Sequence, residues 1–382
     1  ATMGIHDSIT LCTELDAART HCRGIRSPRP GRCQRHDGRR TTIWTVRATC
    51  HFSHPRPPTS MTRRFASWWD VATATQNDDP WEDPTLYAFL CDDVQIGFIQ
   101  PHVWAVLQRY AHAFVMDERR MTFGPACTSV DARTDAINAL AMQLRDHGEF
   151  PEALGGWRHE QYAVYGRDKS QRTYMAFTLE RAACALFGFA TFGVHLTAYT
   201  PDGRIWVPKR SATKATWPGM YDNSVAGGIT AGENVLDTIV RECEEEASLD
   251  PELVTAHIRA VGVISYFYKT PTHGYRQPEM QYVRRTTDHR FLYDLCLPSN
   301  DVRLQPNDQE AQSFELMDRD TIWQLIVAGA FKPNCTLGTC TDALTPVLLD
   351  FFIRHGWLTP EKEPDYTKLV ALLHTPLRVP TP

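Results

Sequence analysis

The chain has 382 residues, of which 42% are hydrophobic, so it is long enough for two or three domains with buried cores. A formal net charge of −5 argues against a nucleic-acid partner bound by phosphate neutralisation over the whole surface. Nothing approaches the roughly 18 consecutive apolar residues of a membrane-spanning helix, so we expect a soluble protein that contacts no membrane. The 11 cysteines lack a repeated close spacing, which favours reduced thiols and a cytoplasmic location.

The first 64 residues differ in composition from the rest of the chain. Residues 1–64 are rich in Arg, Pro, Ser and Thr, poor in acidic residues and without a hydrophobic period. This composition predicts a disordered segment. It is also typical of a mitochondrial transit peptide, so a mitochondrial location stands beside the cytoplasmic one. A further alternative is that Met61 begins the native chain.

A small α+β domain is predicted over residues 80–189. Apolar runs at 86–90 and 94–99 indicate strands, and apolar residues at helical spacing indicate helices over 101–114 and 131–148. An alternating pattern follows at 161–164 and 175–190. No pattern of recognisable chemistry occurs in this domain. Its role stays open between substrate binding, dimerisation and covering a sheet edge.

Residues 190–360 are predicted to form a second domain, followed by a C-terminal tail at 361–382. Strands at 193–199 and 204–209 flank a Pro-Asp-Gly turn, which indicates a hairpin. The pattern further predicts a helix at 235–247, strands at 259–268, 279–283 and 291–298, and helices at 320–328 and 344–355. Strands around one charged central helix predict an α-β-α sandwich.

The central helix concentrates negative charge behind a glycine pair. The segment from Gly227 to Asp250 contains five glutamates, a composition usually explained by a solvated helix face. Here Glu242, Glu245 and Glu246 stand at i, i+3 and i+4, so three carboxylates leave one face. Like charges that close destabilise a helix unless a cation binds them, and hard oxygen ligands suit Mg²⁺ or Mn²⁺. The sequence therefore predicts a divalent metal site.

The spacing of the whole segment resembles a known motif. From Gly227 it reads Gly, five residues, Glu233, seven residues, then Arg-Glu-Cys-x-Glu-Glu-x-Ser-Leu from Arg241. This resembles the Nudix box, GX5EX7REUXEEXGU, with Ser248 in place of the last glycine. The resemblance implies a metal-dependent hydrolase of diphosphates linked to another group. Because serine adopts the left-handed conformation less easily than glycine, we expect a slightly altered helix exit.

The Nudix resemblance implies roles for the residues of the box. Glu246 is expected to be the main metal ligand, with Glu242 and Glu245 as further ligands and as the two alternatives for the general base. A carbonyl near Ala226 or Gly227 is expected to reach the metal, and Gly227 and Gly228 let the backbone approach the metal and the phosphates closely. Arg241 is expected to orient Glu242 or Glu245, and Glu233 to brace the loop to the helix, with a structural role as the alternative for both. Glu279 is a candidate acidic residue recruited from outside the box, with an ordinary surface position on a strand as the alternative.

Stretches outside the box indicate which group of Nudix proteins the chain resembles. Residues 193–196, 206–211, 216–228, 331–335 and 350–356 resemble the thiamine pyrophosphokinase-related Nudix proteins of fungi and plants, in which a small domain precedes the Nudix domain. The similarity covers roughly residues 80–370. It implies hydrolysis of thiamine diphosphate, or of its oxo and oxy forms, to the monophosphate. The segments at 284–290 and 336–344 depart from the family and look inserted.

Substrate contacts are expected near the glycine pair. Lys209, Arg210 and Lys214 are candidates for phosphate contacts, with ordinary surface charge as the alternative. Trp217 and Tyr221 are candidates for stacking on an aromatic ring of the substrate, with core packing as the alternative.

Three other functions fit parts of the pattern. The same box serves hydrolases of oxidised nucleoside diphosphates and triphosphates of the 8-oxo-dGDP type. An isopentenyl diphosphate isomerase is disfavoured because that branch uses a catalytic cysteine and an altered box. A non-catalytic binding module would be expected to lack glutamates of the box, and all are present. The expected partner is a small diphosphate, bound by a monomer or a homodimer.

Overall fold

A computed structural model of the protein describes residues 65–75, 79–213, 217–269, 276–281, 291–307, 309–332 and 345–382. For residues 268, 269, 276–281 and 345 it describes the backbone alone. The expectations for residues 1–64, for Lys214 and for the segments at 284–290 and 336–344 lie outside these residues.

The described residues form helices and strands in alternation along the chain. The helices are α1 (Trp68–Thr75), α2 (Pro101–Tyr110), α3 (Val130–Asp146), α4 (Pro151–Leu154), α5 (Arg181–Phe187), α6 (Val235–Ala247), α7 (Pro251–His257), α8 (Arg319–Val327), α9 (Thr345–Arg354) and α10 (Tyr366–Leu373). The strands are β1 (Tyr87–Cys91), β2 (Val94–Ile99), β3 (Phe114–Asp117), β4 (Arg120–Phe123), β5 (Gln161–Arg167), β6 (Thr173–Glu180), β7 (Thr191–Tyr199), β8 (Ile205–Arg210), β9 (Val225–Gly228), β10 (Ile258–Gly262), β11 (Ile264–Lys269), β12 (Arg276–Gln281), β13 (Leu292–Cys296) and β14 (Ala311–Met317).

Residues 79–189, here called the N-terminal region, contain two small sheets. Strand β1 pairs antiparallel with β2 and parallel with β4, in the order β2-β1-β4-β3. Strands β5 and β6 form a separate hairpin. The core of the region is aromatic: Phe89 is fully buried and lies edge to face against Phe187 and Phe189. Burial of these large rings, each at about 25 cal/mol per Å² of apolar area, stabilises the region.

Residues 190–382, here called the C-terminal region, form a mixed sheet with helices on both faces. Strand β7 is central: it pairs in parallel with β12 and β13 and antiparallel with β8 and β9. Helices α6 and α7 cover one face, and α8, α9 and α10 cover the other together with α1. The predicted α-β-α sandwich, preceded by a small α+β unit, is therefore confirmed.

Helix α6 has a clear local cause. The side chain of Asn234 caps its first turn by accepting a hydrogen bond from the Leu236 N–H at 2.9 Å. Ile239, Cys243 and Ala247 stand at i, i+4 and i+8 and are fully buried in the core of the C-terminal region. Because this apolar stripe faces the sheet, the glutamates of the helix lie on its other faces.

Helix and strand bounds agree with the predictions best where the pattern is long and periodic. Helix α6 has the predicted bounds, 235–247, and α3 lies within one to two residues of the predicted ones. The helix predicted over 101–114 was too long, because the chain turns at 111–113 and Phe114 begins β3. The sequence patterns do not predict α1, β3, β4, α4, α5, β9, α7, β14 and α10, the last of these within the predicted tail.

The two regions share a buried cluster, here called the joint core. Phe98 of the N-terminal region packs there with Phe192 and Phe267 of the C-terminal region, and Leu377 and Val379 complete it.

In the described ranges, no helix is long and apolar enough to cross a membrane. The cysteines of these ranges, Cys91, Cys127, Cys184, Cys243 and Cys296, are free thiols, as the sequence predicts.

Candidate active site

The glycine loop, residues 227–234, brings the end of β9 against helix α6. A Cβ atom at Gly227 would overlap the carboxyl group of Glu242, so only glycine lets that carboxyl approach the backbone. The side chain of Glu233 accepts hydrogen bonds from the Thr230 N–H and from the Thr238 hydroxyl, both at 3.2 Å. These contacts connect the loop to the first turns of α6.

Arg241 lies among three glutamates of the motif. Its Nη1 is 2.7 Å from Oε2 of Glu245 and 3.1 Å from Oε1 of Glu242, and its Nη2 is 3.4 Å from Oε1 of Glu233. The two helix carboxylates differ in exposure, because 53% of the Glu245 side chain is exposed and only 14% of the Glu242 side chain. Arg241 therefore fixes Glu245 at the rim and Glu242 in the interior.

Glu246 is bound to the edge of the sheet. Its Oε2 accepts a hydrogen bond from the Ala226 N–H at 3.1 Å. Burial raises the pKa of Glu246 well above its usual range, and the charges of Glu242, Asp222 and Glu310 act in the same direction. Burial also raises the pKa of Glu242 to about 7, with Arg241 opposing and Glu245 and Glu310 adding to the shift.

Glu310 is an acidic residue from outside the motif that the sequence analysis missed. Its charge acts to raise the pKa of both Glu242 and Glu246. Glu310 directly precedes β14, and β14 pairs with β8 with Ala311 opposite Arg210. No local sequence signal marks it: only the β14–β8 pairing places it next to the end of β8.

The donor set fits a hard divalent cation in its chemistry. The negative charges of Glu242 and Glu310 both act on Glu246, and bringing such charges together favours either protonation or a bound cation. Within the described residues, however, no group of three acidic, histidine or cysteine side chains is already arranged to hold a metal ion. The pairing of Glu245 with Arg241 is consistent with that, since it takes one carboxylate of the predicted set toward solvent.

Arg210, Asp222 and Lys332 form a second charged cluster. Nη1 of Arg210 is 2.6 Å from Oδ2 of Asp222, and Nζ of Lys332 is 3.4 Å from the same oxygen. Burial acts to raise the pKa of Asp222, but the charges of Lys332 and Arg210 outweigh it, so its pKa is lowered. Asp222 and Lys332 were missed as site residues because they are 110 positions apart in the chain.

The remaining sequence-predicted substrate residues are spread around this second cluster. Arg210 also donates from Nε to the carbonyl of Trp217 at 3.2 Å. Trp217 is half-buried and has a left-handed backbone, with φ +54°. Tyr221 packs on Phe331 with ring centroids 5.8 Å apart, and Lys209 Nζ lies 5.8 Å from the Tyr221 ring centroid. Glu279 lies in β12 opposite Thr191, with its side chain outside the described atoms.

His195 is a buried polar residue beside the second cluster. It stands in β7 opposite Ala226 of β9 and Leu292 of β13, and 9% of the residue is exposed. Its Nδ1 is buried without a hydrogen-bond partner among the described residues. Burial lowers the pKa of His195 to about 4, assisted by the charge of Lys332 and opposed by Asp222.

Two family descriptions match the chain, and they meet at residue 191. Residues 71–191 match a domain of unknown function, DUF4743, and residues 191–334 match the NUDIX domain. The Saccharomyces cerevisiae protein YJR142W is 31% identical over 316 residues, which are 80% of this chain and 88% of that protein. Two Arabidopsis thaliana proteins, Nudix hydrolase 20, chloroplastic, and Nudix hydrolase 24, chloroplastic, are each 31% identical over 72% and 75% of this chain and 69% and 72% of their own length.

The chain therefore belongs to the Nudix hydrolase family. It is a hydrolase that acts on pyrophosphate bonds. Nudix hydrolases generally use divalent metals and act on small diphosphate-containing molecules.

Proposed function

We propose that this chain hydrolyses thiamine diphosphate, or its oxo and oxy forms, to the monophosphate and inorganic phosphate, with Mg²⁺ or Mn²⁺ as cofactor. The observation that carries the metal-dependent reaction is the packing of the Glu242 carboxyl against Gly227, together with the hydrogen bond that the Glu246 carboxylate accepts from the Ala226 N–H. The thiamine part rests on the resemblance of residues 80–370 to one Nudix subfamily. Similarity to relatives over both regions of the chain supports the Nudix hydrolase part of the proposal.

The proposed roles follow from where each carboxylate lies. Glu246 and the carbonyl of Gly227 would hold the cation, with Glu310 as a further ligand and Glu245 joining if it leaves Arg241. When bound, the cation neutralises the diphosphate and lowers the pKa of a water molecule. Glu242 is the better placed of the two candidate bases, because its carboxyl lies against Gly227 while Glu245 is paired at the rim.

The proposed reaction is a displacement at phosphorus. A water oxygen forms a bond to one phosphorus atom, and the bond from that phosphorus to the bridging oxygen breaks. The proton of the water passes to Glu242, and the leaving phosphate carries the bridging oxygen and its charge. Arg241 holds Glu242 by an ion pair of 3.1 Å, so the carboxylate keeps one orientation toward the loop.

The second cluster is proposed as the binding site for the rest of the substrate. Arg210 and Lys332 are cations held by Asp222, so they would offer an ordered phosphate contact. Lys209 and Lys214 are proposed as additional contacts. Trp217 is the better stacking candidate, because Tyr221 already packs on Phe331 and no ring contact of Trp217 occurs within the described part of the chain.

We further propose the wider setting of this activity. The N-terminal domain would cover residues 80–189 and the Nudix domain residues 190–360, with 361–382 as a C-terminal extension. The enzyme would act as a monomer or homodimer on a small molecule, without nucleic acid. A cytoplasmic location is proposed, with a mitochondrial one as the alternative suggested by the Arg-rich composition of residues 1–64.

Phosphate release decides the proposal. The purified protein is assayed with Mg²⁺ or Mn²⁺ on thiamine diphosphate, oxothiamine diphosphate and 8-oxo-dGDP. We expect the thiamine compounds to be preferred and Glu246→Gln to lose activity by about 100-fold or more, as removal of a metal ligand should. Glu244→Gln is the matched control, because Glu244 is an exposed glutamate of the same helix outside the motif.

Each other outcome has a definite meaning. Preference for 8-oxo-dGDP would keep the site and discard the thiamine assignment. Equal loss of activity in Glu244→Gln and Glu246→Gln would contradict the assigned ligand. No release from any compound would favour a Nudix module that binds without catalysis.

A further inference from the structure

The glycine loop of the active site is attached to the N-terminal region. The carbonyl of Gln161, the first residue of β5, accepts a hydrogen bond from the Ala231 N–H at 2.7 Å. This bond joins the N-terminal region to the middle of the loop that carries Gly227 and Gly228. A backbone bond of this length restricts the amide that donates it.

The neighbouring residue of β5 reaches the loop with its side chain. Tyr162 is 4% exposed, and its ring packs in the core of the N-terminal region. Its hydroxyl lies against the α-carbon of Gly228, where any Cβ atom would overlap it. The sequence predicts that Gly228 lets the backbone approach the phosphates. The structure gives this glycine a different neighbour, the phenol of Tyr162.

Contacts with Arg181 fix the position of the Tyr162 ring. The guanidinium of Arg181 lies 5.4 Å from the centre of the Tyr162 ring, and Nη1 of Arg181 pairs with Glu160 at 2.9 Å. The Arg181 N–H also donates to the Glu160 carbonyl at 2.8 Å. Because Glu160 directly precedes β5, these contacts hold the start of the strand and the tyrosine together.

The loop is held on its other side by the joint core. Ile229 of the loop and Val235, the first residue of α6, pack on this core, and the Ile229 N–H donates to the Phe192 carbonyl at 3.0 Å. Tyr165 of β5 contacts Phe192 edge to face, with ring centroids 5.3 Å apart. Strand β5 and the joint core therefore enclose the loop.

We propose that the N-terminal region is a positioning element of the Nudix site, and that Tyr162 is the positioning residue through which it acts. Tyr162 and the Gln161 carbonyl hold the glycine loop in the conformation that places Gly227 against Glu242. The effect on catalysis rests on the proposed function, whereas the effect on the loop does not. Displacements of about 1 Å at such a site cost about 100-fold in rate.

A rescue experiment tests the contact between Tyr162 and Gly228. Gly228→Ala inserts a methyl group where the phenol lies, Tyr162→Leu removes the phenol, and the double variant removes the overlap. Hydrogen exchange of the amides in 226–234 is measured by mass spectrometry in all three and in the wild type. We expect exchange in Gly228→Ala to be at least about tenfold faster than in the wild type, and the double variant to return to the rate of Tyr162→Leu.

Kinetics give a second readout with a conservative variant. Tyr162→Phe keeps the ring, and we expect it to lower kcat by about tenfold with little change in KM, since a displaced catalytic group weakens transition-state binding more than substrate binding. Tyr174→Phe is the matched control, because the Tyr174 hydroxyl is bonded to Asp92 and Arg133, within the N-terminal region.

The outcomes separate this proposal from the assigned reaction. Unchanged loop exchange in Gly228→Ala, or a double variant that exchanges as fast as Gly228→Ala, overturns the positioning role. A kcat loss as large in Tyr174→Phe as in Tyr162→Phe also overturns it. If the wild type releases phosphate from none of the compounds, the proposed function fails, and the exchange data still decide the positioning role.

Discussion

Ser248 shows how a motif residue is replaced without loss of its conformation. The serine stands where the Nudix box has glycine, and its φ of +54° and ψ of +32° are left-handed. The Leu249 N–H bonds to the Cys243 carbonyl at 3.1 Å and the Ser248 N–H to that of Glu244 at 3.2 Å, so the helix ends as with glycine. The expected altered exit is therefore not observed. The left-handed backbone of Ser248 is strained, because its Cβ atom disfavours this conformation.

The strain at Ser248 predicts a stabilising substitution. Ser248→Gly should raise the free energy of unfolding by about 0.5–1 kcal/mol, because glycine adopts the left-handed conformation without a Cβ penalty. Urea denaturation measures the change. Ser248→Ala is the control, since alanine keeps the penalty. Equal stability of the glycine and alanine variants would show that the left-handed backbone carries no strain.

His195 predicts acid sensitivity. Its pKa is lowered by burial to about 4, with Lys332 assisting and Asp222 opposing, whereas an unfolded histidine has its ordinary value near 6.5. Between these values the unfolded state binds a proton that the folded state excludes, so stability falls as pH decreases from about 6.5 to about 4. The full difference amounts to about 3 kcal/mol.

The free energy of unfolding from pH 7 to pH 4.5 measures this contribution. His195→Asn should reduce the loss of stability over that range by about 2 kcal/mol relative to the wild type. His112→Asn, at an exposed histidine, is the control for removing an imidazole. If His195→Asn loses stability with falling pH as steeply as the wild type, another group carries the acid sensitivity.

The sequence predicts the bounds of a helix or strand where local periodicity and spacing determine them. Helix α6 has its predicted bounds because an Asn cap, a buried stripe and the box agree there. The strand predicted over 259–268 is instead β10 and β11, which pair with different neighbours, β13 and β12. Whether an apolar run continues or breaks depends on its partners, and no local pattern encodes them.

In the candidate site, too, the sequence predicts the residues that share one helix and does not predict those that come from separate segments. The glutamates of α6 share one helix, so spacing alone places them together. Glu310, Asp222 and Lys332 come from separate segments: the pairing of β14 with β8 places Glu310 next to the end of β8, and ion pairs connect Asp222 to Arg210 and Lys332. Tyr162 comes from the other region altogether, where the sequence shows no recognisable chemistry.

The whole molecule depends on the joint core, which contains side chains from both regions and from the end of the chain. Phe98 contacts Phe267 edge to face, with ring centroids 6.2 Å apart, across the two regions. Leu377 and Val379 pack into the same cluster, with 7% and 2% of each residue exposed. Because neither region can expose this cluster without the other, we expect one cooperative unfolding transition rather than two.

Substitution in the C-terminal segment tests this cooperativity. Leu377→Ala should lower the free energy of unfolding by about 2–4 kcal/mol, since it leaves a cavity in the joint core. Arg378→Ala, at the next residue, is the control: its ion pair with Asp79 is about half exposed, so its loss should cost about 1 kcal/mol or less. Urea unfolding followed by tryptophan fluorescence and by far-UV circular dichroism should give coincident curves for the wild type and both variants, because both regions unfold with the shared core. Separate transitions in Leu377→Ala would mean that each region is stable alone, and equal costs for the two substitutions would mean that the segment contributes only surface contacts.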